Sequence, residues 1–172
     1  MDAIKKLREM TSCGVIECKN ALEEVQGDIN KAKDVLQRRG LEIAAKKGGR
    51  AAKEGRIEAY VHHGAKLGVL VEVNCETDFV AKNEDFCRFT KDLAMHIAAT
   101  NPRYIRREDI PSDILQGQID LDTFIKETCL MAQPFVKDQS ITIQHYLHSL
   151  ISSTGENITI SRYVRYKVNE VE

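Results

Sequence analysis

Apolar residues recur at helical spacing through the first forty positions and at alternate positions further on. Ile4, Leu7 and Met10 share one face of a first helix. Cys18, Ala21, Leu22 and Val25 keep the same spacing in a second, and Ile29, Ala32, Val35 and Leu36 in a third. Asp28, after Gly27, is placed to cap the third helix, because its carboxylate accepts a free backbone N–H there. Gly40 is placed to stop it. Three short helices enclose a small core, so residues 1–40 form a helical module that is marginal on its own. The stretch EIAAKKGGRAAKEGR then lacks an apolar stripe, and residues 41–55 read as a partly helical, mobile, basic linker. From Arg56 the period drops to two. Ile57, Ala59 and Val61 alternate with Glu58, Tyr60 and His62, and Leu67, Val69, Val71 and Val73 with Gly68, Leu70, Glu72 and Asn74. Gly64 between the runs predicts an antiparallel hairpin. Helical spacing returns over 84–99 with Phe86, Phe89, Leu93 and Ile97, and NPRYIRREDIP breaks it at Pro102 and Pro111. A further helix is predicted over 121–131. Another starts at Ser140, carries Ile143, Leu147, Leu150 and Ile151, and stops at Gly155. NITISRYVRYKV alternates again as a last strand. Helices covering one face of a small antiparallel sheet make residues 56–172 an α+β domain.

Composition acts mainly by exclusion. The 172 residues are 42% hydrophobic and 30% charged, the balance of an ordinary soluble domain. A formal charge of −1 gives no overall field toward nucleic acid or an anionic membrane. No apolar run approaches the ~20 residues that span a bilayer, and MDAIKKLREM turns polar before a signal stretch develops. Five cysteines, an odd number without a CxxC pair, read as free thiols of a reducing, cytoplasmic compartment.

Candidate chemistry is sparse. Cys13 and Cys18 lack a second ligand pair at zinc spacing. His145 and His148 share a helix face without a neighbouring carboxylate or thiol, and read as ordinary partly exposed histidines. No phosphate-loop, dinucleotide or HExxH motif is present. Cys75 would be a nucleophile only with a histidine close in space, and its place in the strand alternation favours a buried thiol. No enzyme activity, cofactor or metal is expected. Lys46, Lys47, Arg50 and Lys53 could meet RNA phosphates, but such runs are ordinarily solvated. CETDFVAKNEDF poses the sharper question. Phe79 continues the row of Val73, Cys75 and Thr77, which makes it a core residue. The other reading makes Phe79 an exposed wedge aimed at another protein, and Thr77 or Asp78 is also placed to cap a following helix.

VNCETDFVAKNEDF closely resembles the hallmark segment of elongation factor Ts, the guanine-nucleotide exchange factor family that acts on elongation factor Tu. LREMTSCGVIECKNALEEVQGDINKAKDVLQRRG is similar to that family's N-terminal helical module, of ubiquitin-associated type, and AAKKGGRAAKEG to its linker. LAMHIAATNPRYI, QPFVKD and GENITISRYVRY match later blocks in the same order, so the likeness covers nearly the whole chain.

The resemblance implies that Thr77, Asp78, Phe79 and Val80 enter the nucleotide domain of Tu. Phe79 would be the wedge, Asp78 its polar neighbour, and the target the elements supporting the bound magnesium. It implies a second anchor on the same domain through Lys5, Arg8, Val15 and Ile16. His63, in HHGAKLG, resembles a further contact that belongs to the second core unit of longer members. This chain carries one core unit where long members carry two. Such short forms pair as homodimers, giving a 2:2 complex, with the alternating apolar residues of the last strand at the pairing edge. The segment at 112–122 is shorter than usual for the family. No direct nucleic-acid or membrane binding is implied. The alternative is a non-catalytic adaptor that binds protein through the helical module and RNA through the basic linker.

Overall fold

The computed structural model describes residues 2–11 and 13–170, so the outermost parts of the first and last predicted regions, residues 1, 171 and 172, and Ser12 lie outside the described residues. In chain order the elements are α1 (Asp2–Thr11), α2 (Val15–Glu24), α3 (Ile29–Lys47), β1 (Glu54–Val61), β2 (Leu67–Cys75), α4 (Asp78–Ala81) and α5 (Glu84–Thr100). Then follow α6 (Ser112–Gln116), α7 (Leu121–Thr128), β3 (Pro134–Phe135), β4 (Asp138–Thr142), α8 (Ile143–Thr154) and β5 (Thr159–Lys167). The chain is α+β, as the pattern predicts.

The three predicted stripes close on one another. Leu7, Cys18, Ala21, Leu22, Ala32, Val35 and Leu36 form one buried cluster, with Ile4, Val25 and Ile29 at its margin. Full burial of a leucine such as Leu7 contributes about 1.5–3 kcal/mol. Asp28 caps α3 as predicted, its Oδ1 accepting the N–H groups of Asn30 at 3.0 Å and Lys31 at 3.1 Å.

Gly40 does not stop α3, which corrects the prediction. The helix runs for 19 residues to Lys47, and Gly40 lies buried within it where α3 packs on α8. A Cβ at position 40 would stand 3.4 Å from Ser152 Oγ and 3.7 Å from His148 Cβ, so the helices approach with room for a methyl group and for nothing larger. The first half of the expected linker is therefore helix. Ile43 and Ala44 rest against the main core, and only residues 48–53 lack helix or strand.

β1, β2 and β5 form an antiparallel sheet in the order β1-β2-β5. Val69, Val71, Val73 and Cys75 of β2 and Ile160 of β5 share the main core with Phe86, Phe89, Leu93 and Ile97 of α5 and Leu147, Leu150 and Ile151 of α8. β1 is turned the other way. Its Ile57, Ala59 and Val61 are exposed, while Arg56, Glu58 and Tyr60 are partly covered. Arg56 Nε donates to Glu58 Oε2 at 2.9 Å, and the Thr90 hydroxyl of α5 donates to the same oxygen at 3.3 Å. α7 ends at Thr128 rather than at residue 131, where a 3₁₀ turn takes over. α8 starts at Ile143 rather than Ser140, because β4 occupies the preceding residues and the Thr142 hydroxyl accepts the His145 N–H at 3.2 Å as its cap.

Candidate functional site

β2 ends at Cys75, and the backbone turns before Phe79 can continue its row. Thr77 is extended (φ −128°, ψ 154°), and its hydroxyl accepts the Val80 N–H at 3.4 Å, capping α4. Successive helical residues point about 100° apart, so the turn separates neighbours sharply. Ala81 is buried and Val80 packs against the main core, while Phe79 is 82% exposed. The core alternative for Phe79 is thereby excluded. Asp78 stands beside it and accepts a hydrogen bond from Lys82 Nζ at 2.7 Å. That bond and the lysine's charge hold the Asp78 carboxyl below its ordinary range, so a charged group flanks the bare ring at neutral pH.

The turn is held from a distance. Glu156, between α8 and β5, accepts the N–H groups of Glu76 and Thr77 on Oε2, each at 3.0 Å, and the Thr77 hydroxyl on Oε1 at 2.6 Å. The sequence reading missed Glu156. Nothing in hydrophobic periodicity links it to Thr77, 79 residues earlier; its place in the GENITI block is the one hint.

A second exposed surface lies on the helical module. Gly14 precedes α2, and its N–H donates to Glu17 Oε2 at 3.2 Å. The helix then shows Val15 (53% exposed) and Ile16 (74%) outward while burying Cys18, Ala21 and Leu22. Lys5 and Arg8 are exposed one turn apart on α1. His63 stands elsewhere, exposed in the β1–β2 turn. Glu54 pairs with Cys75 at the Phe79 end of this hairpin and Val61 with Gly68 at the other, which places His63 roughly 25 Å away along the strands.

The candidate thiols Cys13, Cys18 and Cys75 are buried. Cys75 is fully buried, and burial pushes its thiol up to about 11. Burial likewise raises Cys13 to about 11. Neither forms appreciable thiolate at neutral pH. His145 and His148 are half-buried where α3 meets α8, and burial lowers both. Among the described residues no three His, Cys, Asp or Glu side chains are grouped to hold a metal, and no helix is long and apolar enough to cross a membrane.

The family model "Elongation factor TS" matches residues 5–120 and 114–170. The chain is similar to proteins named elongation factor Ts from Carboxydothermus hydrogenoformans (45% identical, covering 97% of this chain and 88% of that one), Caldanaerobacter subterraneus subsp. tengcongensis (46%, 98% and 96%) and Thermotoga neapolitana (44%, 99% and 97%). These matches extend over 190 or 191 residues, more than the chain's own length, so the relatives carry residues without a counterpart here. The two matched stretches meet at 114–120, within the segment expected to be short.

Proposed function

The chain belongs to the elongation factor Ts family, which gives it a role in translation elongation, and on that premise we propose that it is a guanine-nucleotide exchange factor for elongation factor Tu. One observation carries this reading: an almost bare phenylalanine ring, held on a capped turn with a charged aspartate at its side. Phe79 enters the nucleotide domain of Tu and displaces the elements beneath the bound magnesium. Magnesium neutralises the β-phosphate, so its loss weakens nucleotide binding. Burying a phenylalanine contributes about 1.5–3 kcal/mol, and each tenfold change in affinity needs about 1.4 kcal/mol. Phe79 thus supplies one to two decades of weakening. Lys5, Arg8, Val15 and Ile16 supply a second grip on the same domain, and His63 a minor third. No bond is made or broken. Linkage is reciprocal, so GTP binding to Tu releases the factor by the same coupling.

The working unit is a homodimer, for which the orientation of β1 is the support. A sheet with one covered face normally turns its apolar row inward, whereas β1 turns polar residues to α5 and its apolar row out. By register Ala59 lies opposite Leu70 and Leu70 opposite Val164, which makes an apolar band across the outer face of the three strands, beside the Arg162–Glu72 ion pair. A second copy covers that face.

Release of fluorescent GDP from cognate Tu tests the exchange reading. Wild-type chain should accelerate release strongly, and folded Phe79→Ala should lose about ten- to a hundredfold of that effect. Acceleration untouched by the substitution would remove Phe79 from the mechanism and leave exchange standing. No acceleration by folded wild type would sink the exchange reading; RNA binding that falls steeply with salt would then favour the adaptor.

A further inference from the structure

Three segments meet behind Phe79. The first is the end of β2. Just beyond it, the N–H groups of Glu76 and Thr77 both donate to Glu156 Oε2, and the Thr77 hydroxyl donates to Oε1. The same hydroxyl oxygen accepts the Val80 N–H, so the Glu156 carboxylate fixes the rotamer that caps α4. The second segment is the turn that carries Glu156. Gly155 turns it through a left-handed conformation (φ 72°). The neighbouring Asn157 N–H donates to Glu76 Oε1 at 2.7 Å, so the two turns hold each other reciprocally. The third is the connection after α3. Arg50 pairs with Glu76 at 3.6 Å, the Asn157 side-chain amide donates to the Arg50 carbonyl at 2.7 Å, and Lys47 Nζ donates to the Gly155 carbonyl. The turn behind the ring is thereby tied to the helix that carries the N-terminal module.

We propose that Glu156 is a positioning residue for Phe79: its carboxylate, fixed on the Glu76 and Thr77 N–H groups and the Thr77 hydroxyl, presets the angle at which α4 presents the ring to Tu. This rests on the exchange function proposed above. Hydrogen bonds to a carboxylate are short and strong. A wedge ordered before contact loses less conformational freedom on binding than one ordered by its partner. Removing Glu156 frees these two N–H groups and the capping hydroxyl at once, and the ring then samples orientations that cannot enter Tu.

The test is GDP release from cognate Tu with Glu156→Ala, Glu156→Gln, Phe79→Ala and the Phe79→Ala/Glu156→Ala pair, together with amide hydrogen exchange at Glu76 and Thr77 in the free chain. Glu156→Ala should lower stimulated release about tenfold or more and lose protection at both amides, with far-UV circular dichroism unchanged. Glu156→Gln keeps a carbonyl oxygen for the N–H groups and should restore most of both signals. In the Phe79→Ala background Glu156→Ala should cost nothing further, because it acts through the ring. A purely structural role would lower release in both backgrounds alike, and that additivity would overturn the proposal. So would unchanged release and protection in Glu156→Ala. If wild type itself fails to accelerate release, the exchange reading falls first and this one with it.

Discussion

His96 is completely enclosed, yet both its ring nitrogens are partnered. Nδ1 accepts the Val136 N–H at 3.3 Å, which leaves Nε2 to donate to Gln133 Oε1 at 3.0 Å. A second ring proton would face the Val136 N–H, a donor against a donor. Burial lowers His96, and it lowers His145 and His148 as well. His145 faces Gln37 and Lys33 of α3, Asp138 of β4 and its neighbour His148. The sign follows from proton counting. As pH falls past the ordinary histidine value of 6.5, the unfolded chain takes up protons that the folded chain refuses. Stability is therefore complete above that value and declines below it. The melting temperature should hold from about pH 8 to 7 and fall from about pH 6.5 to 5, before carboxylates titrate. Calorimetry with His96→Gln should show a shallower decline in that window, and a flat profile in the wild type would refute the assignment.

At the scale of elements, α3 is shared property. Its first half packs Ala32, Val35 and Leu36 into the helical module, and its second half lays Ile43 and Ala44 on the main core. One helix therefore orients the surface of Val15 and Ile16 relative to the domain that carries Phe79. Gly40 sets how closely α3 approaches α8. Gly40→Ala gains about 0.5–1 kcal/mol of helix preference, and its Cβ meets Ser152 Oγ at 3.4 Å and His148 at 3.7 Å, ordinary contact distances, so the stability measured by urea should change little or rise. Gly40→Leu drives three more carbons into α8 and should cost about 1–3 kcal/mol, with faster proteolysis at residues 48–53. Equal stability of the two variants would mean that the helices do not meet as closely as Gly40 allows.

For the whole molecule the question is what covers the outer face of the sheet. Ile57 and Val61 are each 66% exposed, Tyr166 69% and Leu70, on the central strand, 48%. A charge at Leu70 would sit in the middle of that face without disturbing the buried row of Val69, Val71 and Val73. Leu70→Lys should therefore weaken self-association at least tenfold in sedimentation, with the circular dichroism of the wild type retained. A wild type that sediments as a monomer at high concentration would refute the dimer. What the sequence determined by itself was local. Periods of 3.6 and 2 located α1, α2, α5, α8 and the hairpin, and Asp28 named a cap, because spacing and capping depend on neighbours along the chain; the wedge role of Phe79 came from the resemblance of the CETDFVAKN stretch, while its spacing alone made it core. Gly40 misled for the same reason: within the helix alone it is a stop, and only α8 makes it a contact. The facing of β1, the bareness of Phe79 and the carboxylate of Glu156 behind it were decided by the tertiary structure. Each depends on which distant segment arrives at that face, and a one-dimensional pattern does not contain that partner.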